Sequence, residues 1–376
     1  MRNELSLARG VIVLEFWHFL RNLFFGFCHS ELLPVIFFCA FATTARSAGA
    51  LEPLVPGPSA RVVIVENPEA TDAFVPRLEI IRQMVDRGIT RLTEKQTVIE
   101  AWRNIISGNG NVSTNEVIGI KVFAAPGPNS GTRPAVVAAV VEGLLTAGVA
   151  SNHIIIWDRQ EDDLRRAGFF DLARRYGVRV AGSARAGYDE EKYYDKPYIG
   201  NLVWGDLEFG KKGEGVGRRS FFSKLVTQQI TKIINITPLL NNNDTGVSGN
   251  LYSLALGGVD NIVRFESDRE RLAEAVPELY AKPELSDRVV LNITDALICQ
   301  YEGSERGLLH YSATLNQLRF SRDPVALDVL SIQELVHQRQ LANAAEVKPN
   351  LDLYSNAALL ELGVNEPKRI QIENVK

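Results

Sequence analysis

Cysteine and histidine are scarce in this chain. Its 376 residues hold 3 Cys and 5 His, and two of the cysteines, Cys28 and Cys39, fall in the first fifty residues. If a leader over those residues is removed, Cys299 is left alone, and then no intramolecular disulfide, cysteine zinc site or cysteine-held iron–sulfur cluster is expected. His18 and His29 also lie near the N-terminus, leaving His153, His310 and His337. His153 begins an apolar run and His337 ends a helical pattern, both ordinary positions, so His310 is the histidine worth testing. No HExxH, no Gly-x-Ser-x-Gly and no Cys–His pairing occurs, which removes the standard metallopeptidase and serine-hydrolase signatures. A basic block is missing too. With a net charge of −4, a nucleic-acid backbone is not an expected partner. The chain also lacks internal repeats and low-complexity stretches.

Long apolar runs are confined to the N-terminus. "VIVLEFWHFLRNLFFGFC" is broken by Glu15 and Arg21, which makes a poor membrane span. "LLPVIFFCAFATTA" follows, then Ala48-Gly49-Ala50, which fits the small-x-small pattern of a signal-peptidase site. The expectation is a leader over residues 1–50, cleavage near Ala50, and an exported protein, periplasmic or extracellular, with no stable membrane insertion afterwards. The alternative is an N-terminal membrane anchor. Two phenylalanines precede Cys39, which argues against a lipoprotein lipobox. Without residues 1–50, which hold four arginines and three acids, the net charge moves from −4 to −5. Sequons occur at Asn111, Asn235, Asn243 and Asn292. Two lie in strand-like apolar runs where a glycan could not fit.

Residues 51–376 read as an α/β domain, with two lobes split near 182–230 as an option. "RVVIVE" (61–66), "EVIGIKVF" (116–123) and "HIIIWD" (153–158) are uniformly apolar strands alternating with helical patterns. That order predicts a mostly parallel sheet with helices on both faces. Pro134 opens a strongly apolar helix. Residues 182–220 break the alternation and read as an irregular or antiparallel insertion. Order resumes with strands at 232–237, 288–296 and 314–321 and a helix around 266–280. Asp323 as N-cap and Pro324 as first helical residue start a further helix.

Ligands of open α/β sheets bind beyond the carboxyl ends of the strands. In "KVFAAPGPNSGTRP", Lys121, Thr132 and Arg133 are candidate anion holders. Asp158 ends a strand, where a carboxylate can hold a metal or a ligand hydroxyl, or cap the next helix. Asp295 and Glu302 are a candidate carboxylate pair for acid–base work. Asp328 stands in the apolar run "VALDVLSI", and a carboxylate on a buried face must be paired or bind something. Asp158 and Asp328 are therefore also the candidate ligands of a divalent cation. "PLLNNNDTGVSG", with Asn241, Asn243 and Asp244, is a polar stretch ending in a glycine turn that leads into a helix.

Four segments, "VIGIKV", "TRPAVVAAVVEGLLTAGVASNHIIIWDR", "KIINITPLLNNNDTGVSGNLYSLALGGVDN" and "RFSRDPVALDVLSIQ", occur in the order seen in the family known as DUF362. The chain resembles that family from about Arg61 to about Val336. The resemblance implies export, the α/β fold and a site region, but no particular reaction. Some members carry a ferredoxin-like cysteine segment, which this sequence lacks. Asn241 and Asn243 stand where the family pattern has Lys and His, and Tyr252-Ser253 replaces Lys-Asn. Phe123 stands where Asn is usual, and Arg133 where His is frequent. Asp158, Asp323 and Asp328 persist.

An amide transfers no proton near neutral pH but still donates and accepts hydrogen bonds. Two readings follow. One is a protein that binds a small anionic or polyol ligand in a pocket at strand C-terminal ends, with catalysis of the family's type lost. The other is a metal-assisted enzyme that uses the surviving carboxylates on a small anionic substrate.

Overall fold

The computed structural model describes residues 59–108, 110–197, 218–266 and 268–376. The leader, its cleavage near Ala50 and the middle of the 182–220 insertion lie outside the described residues. Among those described, no helix is long and apolar enough to cross a membrane.

The apolar runs form the strands expected of them. They are β1 (Ala60–Glu66), β2 (Ile118–Val122), β3 (Ile154–Asp158), β4 (Arg179–Gly182), β5 (Lys232–Asn242), β6 (Val289–Gln300), β7 (Ser312–Ser321) and β8 (Ile370–Val375). They lie in one mixed sheet in the order β8-β1-β7-β6-β5-β2-β3-β4. Every neighbouring pair is parallel except the two made by β7, which is antiparallel to β1 and to β6. Residues 301–311, which join β6 to β7, hold no crossover helix, and parallel pairing would need one. Strands β2 and β3 are buried along their whole length, as central parallel strands must be.

Helices cover both faces. On one lie α1 (Leu78–Thr93), α2 (Val98–Ser107), α3 (Pro134–Thr146), α4 (Glu161–Arg166) and α5 (Phe169–Tyr176). Ile81, Trp102, Val137 and Phe169 of these helices join Ile120, Ile234, Ile293 and Phe320 of the strands in one apolar core. On the other face lie α6 (Asn250–Gly257), α7 (Arg269–Tyr280), α8 (Pro324–Leu341) and α9 (Asp352–Leu359). Helix α8 starts as the sequence says: Asp323 accepts a hydrogen bond from Ala326 N at 2.8 Å, ahead of Pro324. Residues 161–176 form two helices rather than one. Gly168, at φ 90°, separates α4 from α5.

Strand β5 runs five residues past the Thr237 expected from sequence, so "PLLNN" is extended chain rather than a turn. Pro238 is tolerated because β2 ends its pairing with β5 at Val122↔Ile236. Tyr188–Asp195 pairs antiparallel with Arg219–Ser223, which gives the insertion its hairpin base. Helix α9 and strand β8 have no counterpart in the sequence reading.

Candidate functional site

The strands turn a polar row toward α6. Pairing aligns Trp157 of β3, Lys121 of β2, Asn235 of β5, Asn292 of β6 and Ser321 of β7. Thr237, Thr294 and Arg319 align one rung along. All eight are buried. Asn235 and Asn292, two of the sequon asparagines, are fully enclosed. Above them α6 presents Asn250, Ser253 and Gly257, positions three and four residues apart that share one helix face. Asn235 Nδ2 donates to Asn250 O at 3.0 Å, and Asn250 Nδ2 donates to Thr294 Oγ1 at 3.3 Å. Gly257 must lack a side chain: a Cβ there would sit 2.2 Å from Lys121 Cε.

Lys121 is fully buried, and its ammonium is saturated. Nζ donates to Val122 O at 2.6 Å, Asp158 Oδ1 at 2.8 Å and Ser253 Oγ at 3.0 Å. Burial lowers its pKa, and the Asp158 charge works against that shift. Asp158 also accepts from Ala124 N and Arg159 N, each at 2.8 Å. Its carboxylate thus ties β2 and the loop after it to the end of β3.

Arg133 is also neutralised inside the protein. Its Nη1 lies 3.0 Å from Asp295 Oδ1, and its backbone N–H donates to Asp295 Oδ2 at 3.0 Å. Its Nη2 bonds the carbonyls of Asn129 and Ile298. Thr132 Oγ1 donates to Ile236 O and accepts from Phe123 N. The three expected anion holders are therefore interior braces: Lys121 and Arg133 are enclosed beside a carboxylate, and Thr132 is enclosed between two backbone groups. Asp295 faces no cleft and makes no pair with Glu302: it is wholly buried against Arg133.

Asp328 is an internal cap. Oδ1 accepts from Asn250 N at 2.7 Å and Asn250 Nδ2 at 2.9 Å, and Oδ2 accepts from Leu251 N at 3.0 Å. The N-terminus of α6 therefore points at the protein's own carboxylate rather than toward an open site. A Cβ on Gly249 would meet that carboxylate at 2.2 Å. Burial pushes the Asp328 carboxyl up to about 7, against the lowering effect of its amide donors. Asp158 and Asp328 do not gather with other donors as the metal reading required. Among the described residues, no three His, Cys, Asp or Glu side chains are grouped to hold an ion.

The asparagine stretch splits in two. Asn241 and Asn242 are buried, whereas Asn243 and Asp244 are exposed. Asn241 donates to Asn243 Oδ1 at 2.9 Å and accepts from Ser304 N at 3.0 Å, which ties β5 to the loop after β6. Asn242 Oδ1 accepts from Asp244 N and Thr245 N and closes the turn. Gly246 continues it at φ 88°. The loop itself hangs on Gln300. Its Nε2 donates to the carbonyls of Glu302, Ser304 and Arg306, and its Oε1 accepts from Leu308 N. Glu302 is half-buried in that loop, and exposed His310 lies against Tyr311 with ring centroids 4.0 Å apart.

Acids collect beside this turn. Tyr252 donates to Glu266 Oε1 at 3.3 Å and packs edge-on against Phe123. Burial, then the charges of Glu266 and Glu305, raise the Tyr252 pKa well above its usual value. Desolvation, followed by the like charges of Glu266, Asp158 and Asp163, raises the Glu305 carboxyl. Tyr252, Glu266 and Glu305 were not among the sequence candidates, and neither were Gln300, Asn250 and Ser253. The replacement of Lys-Asn by Tyr252-Ser253 was the available signal for two of them.

The family model described as Domain of unknown function (DUF362) matches residues 118–333, from β2 into α8. No curated protein matches the chain. Among solved structures it is similar to a Thermotoga maritima protein determined as a structural genomics target, at 11% identity and a TM-score of 0.39. That likeness covers 72% of this chain and 60% of the other.

Proposed function

This chain belongs to the DUF362 family, and on that premise we propose that it binds a small hydroxyl-rich ligand, a polyol, at the C-terminal ends of β2, β3 and β5. One observation carries the choice of polyol over anion. Lys121 and Arg133, the cations an anion would need, are buried and paired with Asp158 and Asp295. The groups beside the asparagine turn include the exposed Asn243, Asp244 and Glu305 and the half-buried Glu266. All of them accept hydrogen bonds from hydroxyls, and the three carboxylates repel an anion. Acid–base chemistry of the family's type has little support, because the Lys and His positions hold Asn241 and Asn243. The metal-assisted alternative is less favoured, since Asp158 and Asp328 each serve an internal partner. On the strength of the leader sequence, we place the binding outside the cytoplasm.

A thermal-shift screen of sugars and sugar alcohols against their phosphorylated and carboxylated counterparts tests this reading. A ligand that binds the native state raises the melting temperature. The neutral polyols should raise it, and Glu305→Ala should weaken the hit roughly 2- to 10-fold, the worth of one hydrogen bond. A shift given only by phosphorylated compounds would sink the proposal.

A further inference from the structure

Among the described residues, Arg339 is a buried cation that makes no ion pair. It lies one turn beyond Leu335 on α8, and both face inward. Only 7% of Arg339 is exposed. Its Nε and Nη2 atoms are sealed from solvent and have no hydrogen-bond partner among the described residues. Those two atoms form the edge of a guanidinium that matches the two oxygens of a carboxylate.

The buried arginines around it are paired. Arg133 has Asp295 and Arg319 has Glu334, each at 3.0 Å. Cys299 lies within electrostatic reach of all three arginines. Glu302 acts on Arg339 through its field, yet forms no ion pair with it. Burial lowers the Arg339 pKa, and Glu302 and Cys299 oppose that shift. Enclosing a charge with no partner is costly unless a counter-charge arrives.

We propose that the Nε–Nη2 edge of Arg339 binds a small monocarboxylate through two parallel N–H···O bonds. The flat fork suits a carboxylate, and the negative field of Glu302 disfavours a dianion such as phosphate. The adjoining loop, residues 302–308, is held by Gln300 and Asn241. Movement of that loop gives the ligand its route to the sealed edge. This inference does not rest on the polyol reading, and its two variants, at Arg339 and Glu302, are not among that reading's residues, so the two succeed or fail separately.

Thermal denaturation of the full chain in sodium acetate, sodium phosphate and sodium chloride at matched ionic strength is the test. Acetate should raise the melting temperature by about 4 °C at 100 times its Kd, more than either other salt. Arg339→Met should abolish that rise while melting close to wild type in chloride. Glu302→Gln keeps the guanidinium and should lower the acetate concentration needed for a half-maximal shift several-fold. This arm holds even if Arg339→Met does not fold. An acetate rise that survives in Arg339→Met, or that phosphate and chloride match, overturns the proposal. So does an unchanged acetate response in Glu302→Gln. If Arg339 and Glu302 instead pair with each other, both variants lower the melting temperature in chloride and acetate does nothing, which also overturns it.

Discussion

The same strands present two unlike faces. Toward α1, α2, α3 and α5 they offer Ile120, Ile234, Ile236, Ile293, Leu318 and Phe320, an apolar surface with no polar interruption among those side chains. Toward α6 and α8 the alternate residues are Lys121, Asn235, Thr237, Asn292, Thr294 and Arg319. The first face is held by burial alone and tolerates any close-packed set of similar volume. The second depends on donor–acceptor pairs such as Lys121 with Asp158 and Asn235 with Asn250, where loss of one partner strands another. Similar burial therefore carries different penalties on the two sides of one sheet.

The largest expected contrast lies between neighbours on β2. Lys121→Met should cost about 3–5 kcal/mol in urea-unfolding stability, because Asp158 loses its buried counter-ion. Ile120→Val, one residue away on the other face, should cost only about 0.5–1.5 kcal/mol. Equal losses would erase the distinction between the faces. Next comes Gly257→Ala, which drives a methyl into Lys121 Cε and should cost about 1–3 kcal/mol by overpacking. Chemical denaturation of the single variant would show it, and a neutral result would mean that α6 stands farther from the sheet.

The subtlest effect is pH dependence at Asp328. Its folded pKa of about 7 is raised above the ordinary value of 3.8. The folded state therefore binds a proton that the unfolded chain releases in that window. Stability from this group is greatest at low pH and is lost as pH climbs from about 4 to about 7, at up to about 1.4 kcal/mol per unit, then levels off. The stability difference between wild type and Asp328→Asn, followed from pH 5 to 8, should fall and then flatten. A flat difference throughout would show that the carboxyl is ionised across the range.

The two faces also differed in how legible they were. Uniform apolar runs announced β1, β2 and β3, and Asp323-Pro324 announced α8, because those signals are local. The pairings that define the polar face are not local: Lys121 and Asp158 are 37 residues apart, and Arg133 and Asp295 are 162 apart. Sequence reading placed these residues at strand ends and helix starts, yet it could not show that they neutralise one another. Asp328 was singled out correctly as a buried carboxylate needing a partner, but its partner, the α6 N-terminus, emerged only in three dimensions. Arg339 passed unnoticed because an arginine in a helix's last turn is usually a solvated one. The direction of β7 was missed because strand direction depends on the connection, and residues 301–311 carry no strong pattern.

The polar row also has a consequence for how the chain assembles. Side chains alternate along a strand, so a slip of one residue would turn Lys121, Asn235 and Asn292 into the oily side and bring isoleucines under α6. Where both faces of a sheet are apolar, such a slip costs little, and neighbouring alignments compete during folding. Here each rung works as a registration mark, and a misaligned strand is penalised before any helix has docked.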